Sequence, residues 1–122
     1  MKRDMELIRK IVLLIEDSSK GWAPANMVIE GYSQAQIGYH AYLLVDSGLA
    51  EGSDVTNSGS EAPEYLLTHL TSAGHDFADS ARTPYIWDEV MNDMRNKGIL
   101  SAALDVIKRS LDSRIRKQLE GD

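Results

Sequence analysis

Hydrophobic residues recur at helical spacing in both the first and the last third of the chain. A first amphipathic helix is predicted over residues 4–17, where one face carries Leu7, Ile8, Ile11, Leu14 and Ile15. A second helical face, between Pro84 and Gly98, carries Ile86, Val90 and Met94. A last amphipathic helix is predicted to start at Ser101, with one apolar stripe formed by Leu104, Ile107, Leu111, Ile115 and Leu119.

Between these helices, the residues before position 48 predict one short strand and one helix. The apolar run NMVIE, Asn26–Glu30, comes after Pro24 and is typical of an edge strand. Ser33 is a favourable N-cap, so a helix is predicted from there to about Ser47. Gly48 follows in the position where glycine commonly ends a helix.

The residues after Gly48 predict a β-hairpin and another helix. Residues 49–55 and 64–70 read as two strands, and the polar turn TNSGSEAP joins them. Thr71 is the predicted N-cap of a helix that continues to about Arg82. Helix, small strand, helix, hairpin and further helices is the element order of a winged helix.

Two junction motifs support that order. LLVDSGLAE resembles the "LxxxGLI" passage from recognition helix to wing in many winged-helix regulators, and LTSAGHDFAD resembles the "LTxxGxxFL" passage from wing to the next helix. The predicted fold is mainly α with a small β-hairpin, a winged helix-turn-helix-like domain with extra C-terminal helices. Residues 1–122 form one domain, with a winged-helix core over 1–82 and a C-terminal helical extension over 83–122.

The same segments carry a resemblance to a known family. MKRDMELIRKIVLLIED, GYSQAQIGYHAYLLVDSGL, LTSAGHDFAD and IWDEVMNDMRNKGILSAALDVIKRSL closely resemble domain-of-unknown-function family 2513, whose members are short bacterial and phage proteins. The resemblance implies a winged-helix fold and occurrence in bacterial genomes and prophages. It implies no established activity and no functional residues.

Composition limits the class of protein. A chain of 122 residues with 43% hydrophobic and 26% charged residues is expected to form one soluble globular domain. It contains no cysteine, which excludes disulfides, thiolate zinc sites and a cysteine nucleophile, and fits a reducing compartment. The longest apolar run near the N-terminus, IVLLI, is too short for a signal peptide or a membrane span. A cytoplasmic protein without a membrane partner is expected.

The formal net charge of −6 is unevenly distributed. Residues 1–20, 21–81 and 82–122 carry +1, −8 and +1, and the middle part contains no Lys or Arg at all. Its acids are Glu30, Asp46, Glu51, Asp54, Glu61, Glu64, Asp76 and Asp79. The middle of the chain is therefore expected to present an acidic surface.

That charge pattern bears on DNA binding, the usual role of a winged helix. Ser33, Gln34 and Gln36 open the predicted recognition helix and could contact bases. Neither this helix nor the wing contains a Lys or Arg that could contact DNA phosphates. Such phosphate contacts supply most of the non-specific affinity for DNA. A DNA-binding transcriptional regulator would depend on basic residues near the termini, such as Lys2 and Arg3, so DNA binding is the alternative and charge disfavours it.

The outward residues of the same helix favour contact with a protein. They are Tyr39, Tyr42, Leu43 and Asp46, and aromatic residues are enriched at protein interfaces. A structural explanation for these residues stays open, because the terminal helices could cover them. The stripe from Leu104 to Leu119 could complete the core or could pair with a second copy across a homodimer axis. The leading hypothesis is a non-catalytic interaction or regulatory module with a protein partner.

Enzymatic interpretations find little support. His40 fits a hydrogen-bonded core position, and His69 and His75 lack the ligand spacing of a known metal site. The glycine-containing turn lacks the ending of a phosphate loop. Trp22 and Trp87 are expected to be core or lid aromatics. No catalytic residue, metal ligand or cofactor is predicted.

Overall fold

The computed structural model describes residues 1–99 and 102–121. Within these residues the chain forms five α-helices and one two-stranded antiparallel sheet, which confirms the prediction of a mainly helical protein with a small hairpin. The elements in chain order are α1 (Met5–Glu16), α2 (Gln34–Asp46), β1 (Ala50–Asp54), β2 (Tyr65–Leu70), α3 (Ser72–Ala81), α4 (Pro84–Asn96) and α5 (Leu104–Glu120).

Helix α1 lies at the centre of the molecule and packs on α2, α3 and β2. Asp4 caps it, because its Oδ1 accepts hydrogen bonds from the backbone N–H groups of Glu6 (2.9 Å) and Leu7 (3.2 Å). The side chains that α1 buries in the core are Met5, Leu7, Ile8, Ile11, Val12 and Ile15. The helical spacing of these residues explains why this segment folds as a helix and which face it buries.

The hairpin is tied to the helices at both ends. Gly48 has a φ of +80°, a left-handed conformation that turns the chain out of α2 and into β1. Thr71 Oγ1 donates to the carbonyl of Gly48 (2.6 Å) and accepts from the N–H of Gly74 (3.1 Å), so one hydroxyl links the end of α2 to the start of α3. In the sheet Ala50 is opposite Leu70, and a bulge follows Glu51.

The predicted edge strand Asn26–Glu30 is wrong. Residues 26–30 run from a bend into a turn and form no strand, and the N–H of Ala23, just before Pro24, donates to the carbonyl of Thr68 (2.7 Å). Pro24 has no N–H to continue the pairing, and Val28 is 71% exposed. Trp22 is also not a core residue, because 62% of its surface is exposed and its ring only meets the edge of His69.

The C-terminal helices complete the same core. Trp87 on α4 is buried, as the sequence predicted, and α5 packs on α3 and α4. Of the predicted stripe on α5, Ile107 and Leu111 are buried, Leu104 and Ile115 are partly buried, and Leu119 is 83% exposed. The predicted helix start, Ser101, lies outside the described residues, and α5 begins at Leu104.

Candidate functional site

Hydrogen bonds cap the start of α2, and the Thr71 hydroxyl bonds the carbonyl of Gly48 just past its end. Ser33 and Gln36 form a reciprocal capping box: Gln36 N–H donates to Ser33 Oγ (3.1 Å), and Ser33 N–H donates to Gln36 Oε1 (2.8 Å). The buried side of the helix carries Ile37, Gly38, His40, Ala41 and Leu44. The predicted partner residues point the other way.

Three tyrosines form a continuous row where α2 meets the hairpin. The ring centroids of Tyr39 and Tyr42 are 5.8 Å apart, and those of Tyr42 and Tyr65 are 5.5 Å apart. All three rings are half-buried, as is Leu43, and Asp46 is exposed. We call Tyr39, Tyr42, Leu43, Asp46 and Tyr65 the tyrosine face. Such spacing is favourable for tilted ring pairs and holds the rings in fixed positions.

Tyr65 belongs to this face although sequence reasoning did not select it. It opens strand β2 and lies opposite Asp54, so the hairpin carries it to the side of α2. The signal in the sequence was the position of an aromatic residue at the start of the returning wing strand. The sequence alone does not show that β2 packs against α2, because that contact depends on how the hairpin folds back.

Three carboxylates lie on or beside the tyrosine face: Asp46 is part of it, Asp54 is opposite Tyr65 in the sheet, and Glu64 precedes Tyr65 in the chain. Seven of the eight acids between residues 21 and 81 are exposed. The exception is Glu64, which is partly buried against Gly38, where an added Cβ would come within 3.5 Å of the Glu64 Cβ. Hydrogen bonds from the side chain and backbone of Thr56 hold the pKa of Asp54 below its usual value.

The three residues predicted to contact bases make local hydrogen bonds. Ser33 and Gln36 cap α2, and Gln34 Nε2 donates to the carbonyl of Met27 (3.0 Å). These bonds restrict the orientation of the two glutamine side chains, although each amide keeps at least one free N–H donor and one free acceptor site. Lys2 is exposed, and Arg3 Nη2 donates to the carbonyl of Ala102 (2.6 Å).

Both predicted cations do lie near the start of α2. Lys2 and Arg3 line a cleft of about 430 Å³ together with Gln36 and His40. Arg9, another base of α1, is used inside the fold: it donates to the carbonyls of Ala81 (2.7 Å) and Arg82 (3.1 Å).

His40 is a structural residue. It is 1% exposed, its Nε2 accepts from the N–H of Asp4 (2.8 Å), and its Nδ1 lies 2.8 Å from the carbonyl of Gln36. The neutral ring with the proton on Nδ1 satisfies both neighbours. Burial lowers the pKa of His40, so the imidazole is neutral near pH 7. The prediction of a hydrogen-bonded core histidine is confirmed.

The other histidines do not build a reactive centre. His75 Nδ1 pairs with Glu16, and His69 stacks edge-on with the exposed Trp22. Among residues 1–99 and 102–121, no three His, Asp or Glu side chains are grouped so that they could hold a metal ion. None of the helices in that part of the chain is both long and apolar enough to cross a membrane.

The fold and the site together define a small, mainly helical protein with an acidic, tyrosine-bearing face. The chain matches the family described as "Hypothetical protein (DUF2513)" over residues 2–100, and it belongs to that family. An uncharacterized protein of Haemophilus influenzae is 29% identical over 122 residues, covering 98% of this chain and 99% of that protein. No solved structure matches. The resemblance found in the sequence motifs is thereby confirmed.

Proposed function

We propose that this protein is a non-catalytic winged-helix module that binds another protein through the tyrosine face. The observation that carries the proposal is the fixed row of Tyr39, Tyr42 and Tyr65 within a stretch that contains no Lys or Arg. Half-buried tyrosines combine apolar area with a hydroxyl and lose little side-chain entropy on binding, so they suit protein contacts. The surrounding carboxylates favour a partner with a basic surface.

The winged-helix assignment rests on the order of α1, α2, the hairpin and α3, without the small strand that was predicted between α1 and α2. One departure from that fold supports protein binding over DNA binding. In a helix-turn-helix, a first helix crosses the DNA backbone and positions the recognition helix. Residues 17–33, which the structure describes completely, contain no helix before α2. The predicted recognition helix therefore lacks the element that would seat it in a groove.

The terminal helices do not supply an alternative explanation for the tyrosines. Helix α5 packs on α3 and α4, whereas α2 packs on α1 and the hairpin. Tyr39, Tyr42 and Leu43 keep partial exposure with α5 in place. A partly exposed aromatic row of this kind is available to a partner.

The test compares two face variants with two controls in pull-downs from bacterial cells that express the chain. Tyr39→Ser/Tyr42→Ser removes two of the three rings and Asp46→Lys reverses an exposed charge on the face. Tyr85→Ser and Asp88→Lys change exposed residues of the same types on α4. Partner recovery with a C-terminally tagged chain should fall at least tenfold for both face variants and stay at wild-type level for both controls. Circular dichroism must show all four variants folded.

Two further measurements distinguish a different protein partner from a second copy of the chain and from DNA. Sedimentation of the purified variants shows whether the partner is a second copy of the chain, in which case Asp46→Lys should dissociate a dimer. Fluorescence anisotropy of a mixed-sequence duplex at about 50 mM and about 200 mM salt tests the regulator alternative. Binding at the lower salt that collapses at the higher, together with equal partner recovery by all variants, would refute the proposal.

A further inference from the structure

A cavity beside the first turn of α1 adjoins the tyrosine face, since His40 lines it and the ring centroids of His40 and Tyr39 are 5.8 Å apart. It has a volume of about 430 Å³, within the range of small-molecule sites. Its walls come from the N-terminal residues, α1, α2 and α4, so it forms only when four separate parts of the chain meet. The lining residues are Met1, Lys2, Arg3, Asp4, Met5, Glu6, Gln36, His40, Met91 and Arg95.

Three cations meet in this cleft without carboxylate partners. Arg3 Nη2 donates to a backbone carbonyl, Arg95 Nη1 donates to the neutral Asn92 Oδ1 (2.7 Å), and Arg3 Nε is buried with no hydrogen-bond partner. The ion pairs found in residues 1–99 and 102–121 include neither of these arginines nor Lys2. In a protein with 19 acids and 13 bases, three cations that line one cleft and form no ion pair favour an anionic ligand there.

The two carboxylates in the cleft are committed to other hydrogen bonds. Asp4 accepts from two backbone N–H groups of α1 and from Tyr32 Oη (3.1 Å), and Glu6 accepts from Trp87 Nε1. His40 is neutral and already bonded on both nitrogens. A ligand in the cleft would therefore meet the positive charge of the three cations, partly offset by Asp4 and Glu6, whose carboxylates are hydrogen-bonded to other groups of the protein.

The lining of the cleft also includes three methionines, Met1, Met5 and Met91. Methionine side chains adapt their shape and make favourable sulfur contacts with aromatic rings. Arginine suits phosphate because its donors form a planar fork. We propose that this cleft binds a small organic phosphate, with the phosphate between Lys2, Arg3 and Arg95 and an aromatic body against the methionines.

Calorimetry with the full chain, tagged only at its C-terminus, tests this assignment. The probes are adenosine monophosphate, phenyl phosphate, adenosine and inorganic phosphate. At least one organic phosphate should bind with a Kd below about 1 mM, at least tenfold more tightly than inorganic phosphate or adenosine. Lys2→Gln/Arg95→Gln should weaken that binding at least tenfold, because both residues are exposed enough to be replaced without loss of folding.

The control Lys97→Gln/Arg109→Gln removes the same charge from exposed positions outside the cleft and should leave the Kd unchanged. Absence of binding by both organic phosphates would overturn the proposal. Equal binding by the cleft and control variants would also overturn it, because the ligand would then lie elsewhere. Equal affinity for inorganic phosphate would overturn it too, because the methionine side chains would then contribute nothing to binding. Tighter binding of a DNA duplex than of either organic phosphate would assign the cations to nucleic acid instead.

Discussion

Replacing Gly74 by alanine sets two opposing effects against each other within α3. Alanine favours a helix interior over glycine by about 1 kcal/mol, so helix propensity alone predicts stabilisation. The added Cβ, however, would overlap the carbonyl oxygen of Leu49 and lie 3.0 Å from its carbonyl carbon and 3.1 Å from the Cβ of Leu70. Two of these three atoms belong to backbone, which cannot rotate away as a flexible side chain can.

The Leu49 carbonyl is also fixed by the fold. It accepts the backbone N–H of Thr71 (3.0 Å), and the N–H of Leu49 donates to Leu44 (2.9 Å). Relief of the overlap must shift α3 away from the base of the hairpin, at a cost of about 1–3 kcal/mol for overpacking and about 1 kcal/mol for the weakened hydrogen bond. The expected net effect of Gly74→Ala is destabilisation by about 2 kcal/mol, or a Tm lower by roughly 6–10 °C.

Urea denaturation followed by circular dichroism measures this effect directly. The matched control is Ala73→Gly at the neighbouring exposed position, which should cost only the propensity difference of about 1 kcal/mol. A Gly74→Ala variant at least as stable as wild type would refute the reasoning, because it would mean that the contact between α3 and Leu49 yields easily and that propensity dominates.

Three other outcomes follow from the described contacts. Burial lowers the pKa of His40, so the unfolded chain binds a proton more readily than the folded chain. The free energy of unfolding should therefore have its full value above about pH 6.5 and fall as the pH drops toward 5. In denaturation curves measured against pH, His40→Gln should lose this part of the fall, and identical wild-type and variant profiles would contradict the prediction. Thr71→Val, which loses bonds to Gly48 and Gly74, should lower stability by about 1–2 kcal/mol in the same urea assay, and a change below about 0.5 kcal/mol would contradict it. Trp87→Ala should cost about 3–5 kcal/mol or prevent folding, whereas Trp22→Ala at its exposed site should change stability by less than about 1 kcal/mol; equal losses would contradict the two burial assignments.

The parts of the fold that depend on neighbouring residues could be predicted from the sequence. Ser33 and Thr71 cap helices as expected, and the apolar spacing of α1 gives its buried face. These signals are local, since a cap bonds within its own first turn and a helical face repeats every few residues. The strand at residues 26–30 failed because pairing depends on a distant edge, and apolar content alone does not provide a partner.

The candidate sites could be predicted only in part, for the same reason. The outward residues of α2 follow from the phase of one helix, so Tyr39 and Tyr42 could be selected. Tyr65 joins them only because the hairpin folds back, and Arg95 meets Lys2 only because α4 packs near the N-terminus. Gly74 appeared in a family-like motif, but its close approach to Leu49 became visible only in the structure.

The absence of lysine and arginine between Gly21 and Ala81 also governs which chemical probes can report on α2, the hairpin and α3. Trypsin can cut after Lys20 and Arg82 but nowhere between them, so resistance of this stretch to trypsin says nothing about whether it is folded. Amine-reactive cross-linkers and lysine acylation cannot label the tyrosine face either. Proteolysis at glutamate, carboxylate-directed cross-linking and tyrosine modification are the reagents that can map contacts there.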